Sequence, residues 1–360
     1  MSTGLLLEKR RANQVFDKTP DNELVSIIVP ARNEEQNLSV LFLSLKNQTE
    51  KNFELILIDD RSEDHSLELM YHFQKDADFK VKIVENKEAP GFSNPKVNVL
   101  IKGVEAASGD LYFFTDADCK LSSDWVSSLR KMFNNPQTGV VCGFLRLASE
   151  NNVLCRLQNF DHFYRMMYAF CGIGLGIPVG CFGNNLAIRK QTYVETGGYE
   201  LLKDSATEDA EMIARVKQLG TYKIRAIFKK DSIVDTVHKK SWKEHSNQAR
   251  RWASGAIFSK DGLTRFGFFV LMLIPLCCLA CIIPACFNKV FFIFPILMYA
   301  YLYFSSIIFG LCSGVFKLFR KGLFLSVLIY PFIYVDSFFK ALIFRKINWK
   351  GTEILFRKGK

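Results

Sequence analysis

The tripeptide Asp-Ala-Asp occurs twice in this chain of 360 residues, at positions 76–78 and 116–118. Two carboxylates separated by one residue can bind a divalent cation through their oxygens, or they can be solvated charges on a surface turn. A chain of this length contains roughly one Asp-x-Asp by chance. The surrounding elements must therefore decide whether either copy has a chemical role.

Strand-like and helical patterns alternate through the first third of the chain. This alternation predicts an α/β fold with a mostly parallel sheet and helices on both faces. The apolar strand patterns cover residues 24–30, 53–59, 80–86 and 110–118, and the helical patterns cover residues 33–48, 64–75 and 97–108.

Position relative to these strands separates the two copies. Ligands of parallel sheets bind beyond the carboxyl ends of the strands, where Asp116 and Asp118 end one strand and Asp59 and Asp60 end another. Residues 76–78 connect a helix to a strand at the opposite end, so we predict a solvated turn there. Four carboxylates at one edge repel one another unless a cation or hydrogen-bond donors are present. Mn²⁺ or Mg²⁺ suits such oxygen ligands.

Five motifs, in order, resemble those of family 2 glycosyltransferases. The resemblance is greatest to membrane-attached members with a Gln-x-x-Arg-Trp motif, such as ceramide glucosyltransferase and the polysaccharide synthases. It implies a GT-A (nucleotide-diphospho-sugar transferase) fold, a nucleotide-sugar donor and an inverting transfer. The motifs, which span residues 24–255, are VSIIVPARNEEQNL, LILIDDRSEDHS, TDADC, TED and QARRW.

The resemblance also implies roles for individual residues. Asp118 would hold the metal ion, Asp209 would be the general base, and Arg251 would be a second catalytic residue that contacts phosphate. Pro95 precedes Lys96 where the family usually has glycine. The remaining implied contacts are Ala31, Glu34, Asp60, Lys96 and Asp116 for the donor, and Glu208, Gln248 and Trp252 for the diphosphate and the acceptor.

These roles satisfy what sugar transfer requires. A cation stabilises the nucleoside diphosphate as it leaves, and one carboxylate on the opposite face removes the acceptor proton. Alternatives remain for the acidic and basic motifs. Thr207 can be the N-cap of a surface helix with an acidic first turn, and Lys243 and Arg250 can form a solvated basic face.

The glycines of an apolar segment, residues 168–185, predict a loop. Its glycine spacing does not fit the dinucleotide-binding pattern, which leaves two alternatives, a packed core or a membrane-facing acceptor entrance. The preceding residues 160–170 combine aromatic residues and methionines with few charges, which indicates an interfacial helix. Asn184 and Asn185 are then candidates for acceptor contacts.

Two uncharged segments, residues 267–287 and 290–312, are each long enough to cross a bilayer as a helix. A third apolar segment, residues 323–344, contains Asp336 and Lys340, so we predict that it is re-entrant or interfacial. The predicted organisation is an N-terminal extension (1–23), a catalytic domain (24–260), a membrane region (266–344) and a basic tail (345–360).

Charge distribution predicts the orientation. Residues 217–265 carry twelve Lys and Arg against four Asp and Glu, and residues 315–360 carry ten against two. Basic residues beside apolar segments favour the cytoplasmic side and anionic membrane lipids. The ten cysteines show no disulfide framework, which fits a reducing compartment. We therefore predict a multi-pass protein of the cell (inner) membrane with a cytoplasmic catalytic domain. No motif indicates a nucleic-acid partner.

The sequence thus predicts a metal-dependent inverting glycosyltransferase. Its donor is a nucleotide-sugar, with UDP-sugars as the first candidates, and its acceptor is a lipid or a lipid-linked glycan. A processive polysaccharide synthase subunit is the alternative within the class. A catalytically inactive membrane scaffold of the same fold is the alternative outside it.

Overall fold

Strands and helices alternate through the first half of the chain, as the apolar pattern predicts. The structure is a computed structural model that describes residues 2–12, 23–88, 94–147, 152–203, 205, 207–320, 322–344, 346–349 and 352–355. Its strands are β1 (Val25–Ala31), β2 (Phe53–Asp59), β3 (Lys80–Glu85), β4 (Leu111–Phe114), β5 (Cys119–Leu121), β6 (Thr138–Gly143), β7 (Leu145–Leu147), β8 (Leu186–Arg189), β9 (Lys223–Ile227), β10 (Val234–Thr236), β11 (Lys346–Trp349) and β12 (Thr352–Leu355).

Helices cover the sheet and form most of the C-terminal part of the described chain. The α-helices are α1 (Ser2–Ala12), α2 (Glu35–Lys46), α3 (Ser66–Asp76), α4 (Pro95–Ala106), α5 (Trp125–Arg130), α6 (Val153–Gly174), α7 (Lys190–Glu195), α8 (Glu208–Leu219), α9 (Trp242–Ile257), α10 (Gly262–Phe287), α11 (Ile293–Ser313), α12 (Phe316–Phe319) and α13 (Leu323–Ile343). Short 3₁₀ turns lie at Lys131–Asn134, Gly183–Asn185, Tyr199–Leu202, Lys230–Ser232 and Lys289–Phe292.

The central sheet has seven strands in the order β3-β2-β1-β4-β8-β6-β9. Strands β1 to β4 pair in parallel, whereas β8 runs antiparallel to both of its neighbours, β4 and β6. Nearly every residue of β1 and β2 is buried, because helices cover both faces of the sheet. The predicted fold class is confirmed. A second sheet of three strands, β5-β10-β7, lies beside the first.

The fourth strand is shorter than predicted. It ends at Phe114, because its pairing with β1 and β8 stops there and the chain then turns towards β5 in the smaller sheet. Asp116 and Asp118 therefore lie in the connection beyond the strand end and not within the strand. This connection still leaves the carboxyl edge of the sheet, where ligands of such folds bind.

The Gly-rich segment is helical in its first part, so the predicted loop over residues 168–174 is wrong. Helix α6 continues to Gly174 because α1 packs closely against it. A Cβ atom on Gly174 would lie 1.8 Å from the Gly4 carbonyl oxygen. Most side chains of residues 160–170 are buried, and α6 packs against α11 and α13. The predicted interfacial location of this segment stays a prediction.

Three C-terminal helices are long and apolar enough to cross a membrane, namely Gly262–Phe287, Lys289–Ser313 and Leu323–Ile343. They suggest a membrane protein. The third is one continuous helix through Pro331 that packs against α9 and α6, and its position relative to a bilayer stays a prediction. Lys321 and most of the basic tail lie outside the described residues, as does part of the N-terminal extension.

Replacing Gly174 by alanine tests the close contact between α1 and α6. We expect Gly174→Ala to lower the free energy of unfolding by about 1–3 kcal/mol, because the added methyl group overpacks the contact. The measurement is the apparent Tm in detergent. The matched control is Gly267→Ala, also on a helix, where a Cβ atom would meet nothing within 4 Å. Equal Tm values for the two variants would contradict the packing described here.

Candidate active site

A cavity of about 540 Å³ opens beyond the carboxyl ends of β1, β2 and β4. Residues from both the sheet edge and the later helices α8 and α9 line it. Twelve of the thirteen residues for which the sequence predicts a role contribute to its wall. They are Ala31, Glu34, Asp60, Lys96, Asp116, Asp118, Asn184, Glu208, Asp209, Gln248, Arg251 and Trp252. The structure thus brings them together, and their individual roles stay predictions.

Lys96 is the electrostatic centre of this wall. It lies in the first turn of α4, where the Asn94 side chain caps the helix by accepting from the Lys96 backbone N–H at 3.1 Å. The Lys96 Nζ lies 2.8 Å from Asp116 Oδ1 and 3.7 Å from Glu208 Oε1. Burial lowers the pKa of Lys96, but the charges of Asp116 and Glu208 outweigh burial and raise it. The ammonium group therefore stays charged and holds the two carboxylates together.

Helix α8 presents Glu208 and Asp209 to the cavity. Asn94 Nδ2 donates to Glu208 Oε2 at 3.1 Å, while Asp209 accepts from the backbone N–H groups of Gly183 and Ala210, each at 2.8 Å. The Asp209 side chain is half-buried in the cavity wall. This burial, followed by the charge of Glu208, raises its pKa to about 6. The interpretation as a solvated surface helix start is therefore wrong, and the Thr207 side chain makes no capping hydrogen bond.

Helix α9 supplies the third side of the cavity. Gln248, Arg251 and Trp252 lie three and four residues apart, so they share one helix face. The Gln248 Oε1 is buried and has no hydrogen-bond partner among the described residues. Next to Trp252, the guanidinium of Arg165 from α6 lies 4.6 Å from the Trp252 ring centroid. This face of α9 therefore combines the Arg251 guanidinium, the unpaired Gln248 oxygen and the Trp252 ring.

The strand ends supply one carboxylate fewer than predicted. Asp60 lines the cavity, but Asp59 does not, because successive residues of a strand point to opposite faces. The buried Asp59 side chain instead accepts from the Ser62 backbone N–H at 3.2 Å. The first Asp-Ala-Asp copy is a solvated turn, as predicted. Asp76 pairs with Lys46 and Asp78 with Lys51, all at the surface.

Comparison with known proteins identifies the family. Residues 2–360 match the model described as glycosyl transferase family 21. The chain belongs to this family. It is a glycosyltransferase, as the motifs predict.

The similarity between this chain and its curated relatives covers only part of each relative. The chain is 25% identical over 206 residues to the poly-β-1,6-N-acetyl-D-glucosamine synthase of Staphylococcus epidermidis, which covers 57% of this chain and 44% of that protein. It is 30% identical over 112 residues to the dolichol-phosphate mannosyltransferase of Pyrococcus furiosus, or 31% of this chain and 30% of that protein. The chain thus spans less than half the length of these relatives.

Similarity to a solved structure supports the fold of this chain. The mannosyltransferase of Pyrobaculum calidifontis, in complex with GDP-Man and Mn²⁺, superposes with a TM-score of 0.57. The superposition covers 94% of this chain and 95% of that chain at 14% sequence identity. This likeness shows the GT-A fold.

The cavity of this glycosyltransferase supplies some of the ligands that a divalent cation needs. Among the described residues no group of three or more His, Cys, Asp and Glu side chains could hold a metal ion. Asp116 is engaged by Lys96, while the Asp118 carboxylate lines the cavity beside the Thr236 hydroxyl, which donates to it at 3.3 Å. Asp118 would therefore hold a hard cation together with oxygen ligands from a bound diphosphate.

Sequence reasoning missed three residues of α6 and misplaced one asparagine. His162 lines the cavity. The Asp161 Oδ1 accepts from Arg165 Nε at 2.5 Å and so holds the half-buried guanidinium beside Trp252. Charged groups within the otherwise apolar stretch FDHFYR were the available signal. Asn185 is not an acceptor contact, because it is fully buried and its amide bonds Trp125 and the carbonyls of Phe144 and Ser232. Asn184 lines the cavity.

The raised pKa of Asp209 predicts the acid side of the pH profile. As pH falls through about 6, Asp209 gains a proton and can no longer act as a base, so kcat/KM for the donor should fall tenfold per pH unit. Glu208→Gln removes the second cause of the raised pKa, and we expect the acid limb to move to lower pH. Steady-state rates from pH 4.5 to 8 measure this. A limb that stays in place, or that moves up, would contradict the electrostatic assignment.

Proposed function

We propose that this protein transfers a sugar, with inversion, from a nucleotide-sugar donor to a lipid or lipid-linked glycan at the cytoplasmic face of the cell membrane. UDP-sugars are the first candidate donors, and Mn²⁺ or Mg²⁺ is the expected cofactor. The observation that carries this proposal is the arrangement of Asp209, Asp118 and Arg251 around one cavity. Metal use has support from the Pyrobaculum calidifontis mannosyltransferase structure, which contains Mn²⁺.

Asp209 supplies the base in this proposal. Its pKa of about 6 leaves it ionised at neutral pH, yet makes it a stronger proton acceptor than an ordinary aspartate. The hydrogen bonds from the Gly183 and Ala210 backbone N–H groups hold the carboxylate in one orientation. The acceptor hydroxyl gives its proton to Asp209 as its oxygen attacks the anomeric carbon, and a single displacement inverts that centre.

The leaving diphosphate meets the opposite side of the cavity. Arg251 donates to phosphate oxygens, and Gln248 gains a partner for its buried Oε1 from a hydroxyl group of the substrate. A divalent cation at Asp118 would neutralise the negative charge that develops on the diphosphate. Lys96 keeps Asp116 and Glu208 from repelling the donor, because its ammonium group offsets their charges.

A lipid acceptor is supported by the contact between the cavity and the C-terminal helices. Arg165 lies between Trp252, in the cavity wall, and Tyr334 of α13, whose ring centroid is 5.0 Å from the guanidinium carbon. The cavity wall is therefore adjacent to a helix apolar enough to cross a membrane. The name of the Pyrococcus furiosus relative, a dolichol-phosphate mannosyltransferase, also favours a lipid acceptor.

A processive polysaccharide synthase is the second candidate. It is favoured by the similarity to the Staphylococcus epidermidis poly-β-1,6-N-acetyl-D-glucosamine synthase. A polymer needs a pore, and the three candidate membrane helices of the described chain are few for one unless subunits associate. Product length on a lipid acceptor distinguishes the two, because a single added sugar supports the first proposal and a ladder of products the second.

Substitution of the acidic residues tests the mechanism. With purified protein, Mn²⁺ and a panel of UDP- and GDP-sugars, Asp118→Asn should abolish donor hydrolysis and transfer. Asp209→Asn should lower kcat by about 10²–10⁴-fold, which is the usual contribution of a general base. The matched control is the double variant Asp76→Ala and Asp78→Ala, which removes the exposed copy and should leave turnover close to that of the wild type.

Two outcomes would overturn this proposal. Activity that survives both Asp118→Asn and Asp209→Asn would refute the assigned mechanism. Absence of activity on every donor in the panel would favour an inactive scaffold of the same fold.

Protease protection tests the proposed orientation. A tag fused to the C-terminus should be cleaved in sealed inside-out vesicles, because the basic tail is predicted to be cytoplasmic. The same tag should be protected in right-side-out vesicles. Protection in inside-out vesicles would mean that the segment around α13 crosses the bilayer.

A further inference from the structure

We propose that Asn86 and Lys102 are a positioning pair that holds Asp60 ready to accept the N3–H of a uracil base. The inference rests on the proposed function in one respect, that the cavity binds a nucleotide-sugar donor. Asp60 directly follows β2 and lines the cavity, although just 4% of its surface is exposed. Asn86 and Lys102 are absent from the cavity wall, so their effect on a ligand must pass through Asp60.

The three side chains form a chain of hydrogen bonds. Asn86 follows β3 and is 1% exposed, and its backbone N–H donates to the Asp59 carbonyl at 2.8 Å. Its Nδ2 donates to Asp60 Oδ1 at 2.7 Å. Lys102 Nζ, from the last turns of α4, donates to Asn86 Oδ1 at 2.7 Å. Asn98 of the same helix adds a longer bond to that oxygen, 3.3 Å.

Lysine determines which way the amide faces. An ammonium group donates hydrogen bonds and cannot accept them, so it must face the oxygen of the Asn86 amide. The amide nitrogen then faces Asp60, where it can only donate. The reverse orientation would set two donors against each other at Lys102 and two acceptors against each other at Asp60. Asn86 is thus locked, and it fixes the plane of the Asp60 carboxylate.

Counting acceptor sites indicates what Asp60 can still bind. A carboxylate has about four lone-pair sites. Asn86 Nδ2 and Arg61 Nε occupy Oδ1, at 2.7 and 3.0 Å, and Arg61 Nη2 occupies one site of Oδ2 at 3.3 Å. Among the hydrogen bonds made by the described residues, these leave one acceptor site open, on Oδ2.

One remaining acceptor site fits uracil best among the common donor bases. Uracil carries a single N–H, at N3, on its pairing edge. Guanine carries donors at two positions there, N1 and N2. Cytosine carries its donor at the exocyclic N4, beside an unprotonated N3 that would face the carboxylate with a lone pair. A buried site built to accept an N–H strongly rejects an analogue that lacks it, because the acceptor is left without a partner. The pair should therefore set the selectivity for UDP over CDP.

Nucleotide binding by the purified full-length protein in detergent tests this directly. Titration calorimetry with UDP, GDP and CDP in the presence of Mn²⁺ gives Kd values that do not depend on turnover. The wild type should bind UDP most tightly. Asn86→Ala and Lys102→Met should each weaken UDP binding by at least about tenfold and leave CDP binding nearly unchanged. Asp60→Asn should shift the preference towards CDP, since its amide can donate to N3.

Controls separate positioning from a general loss of structure. Lys46→Met removes a surface lysine that pairs with Asp76 and should leave all three Kd values unchanged. Lys102→Met truncates a half-buried side chain, so it should fold even if Asn86→Ala does not. With saturating acceptor and varied donor, Lys102→Met should raise the KM for the donor and leave kcat unchanged, because the lost interaction is with the base in both ground and transition states.

The results also distinguish this inference from the proposed function. A UDP to CDP preference that is unchanged in both Asn86→Ala and Lys102→Met would overturn the inference, even if sugar transfer is observed. A wild-type preference for GDP or CDP over UDP would overturn it as well. Selectivity that depends on Asn86, in a protein that transfers no sugar, would support the inference and refute the proposed function.

Discussion

Lys96 places one buried ammonium group among carboxylates from separate parts of the chain, and the rest of the site is arranged around that charge. Asp116 follows the fourth strand and Glu208 begins α8, so neither is near Lys96 in sequence. Without a central cation these carboxylates would repel one another across a poorly solvated cavity. Their residual repulsion remains visible at Asp209, whose pKa is raised by burial and by Glu208. Lys96 therefore gathers the acidic groups, while burial and Glu208 raise the pKa of Asp209, as its proposed role as a base requires.

A second set of contacts ties the cavity to the C-terminal helices. Arg165 is half-buried between the rings of Trp252 and Tyr334 and is held by Asp161, which is fully buried. A buried ion pair is costly unless its geometry is good, and here the guanidinium also gains two aromatic faces. Through it, α9 of the cavity wall, α6 and α13 form one packed unit. The helices of the cavity wall are accordingly packed against a helix that is apolar enough to cross a membrane, which suits the proposed lipid acceptor.

Sequence reasoning succeeded where the signal is local or periodic. The parallel strands and their helices follow from apolar spacing, because a strand covered on both faces must be apolar along its length. The two copies of Asp-Ala-Asp could be separated for the same reason, since the order of elements decides which end of the sheet each copy occupies. The glycines of residues 168–174 misled the prediction, because glycine indicates a loop unless a second helix needs the space. That helix is α1, whose Gly4 contacts Gly174 from 170 residues away in the chain.

The sequence by itself determined the fold class, the family resemblance and which residue types could serve as base, metal ligand and phosphate contacts. These depend on periodicity and on motif order, both of which are properties of the chain. Only the tertiary structure decided how those residues are charged and oriented. Asp59 faces away from the cavity, and the Asn185 amide hydrogen-bonds to a buried backbone carbonyl. Asn86 and Lys102 are linked to Asp60 by hydrogen bonds that connect three separate elements. The physical reason is that hydrogen bonds and pKa shifts depend on distance and burial, and folding sets both between residues far apart in the chain.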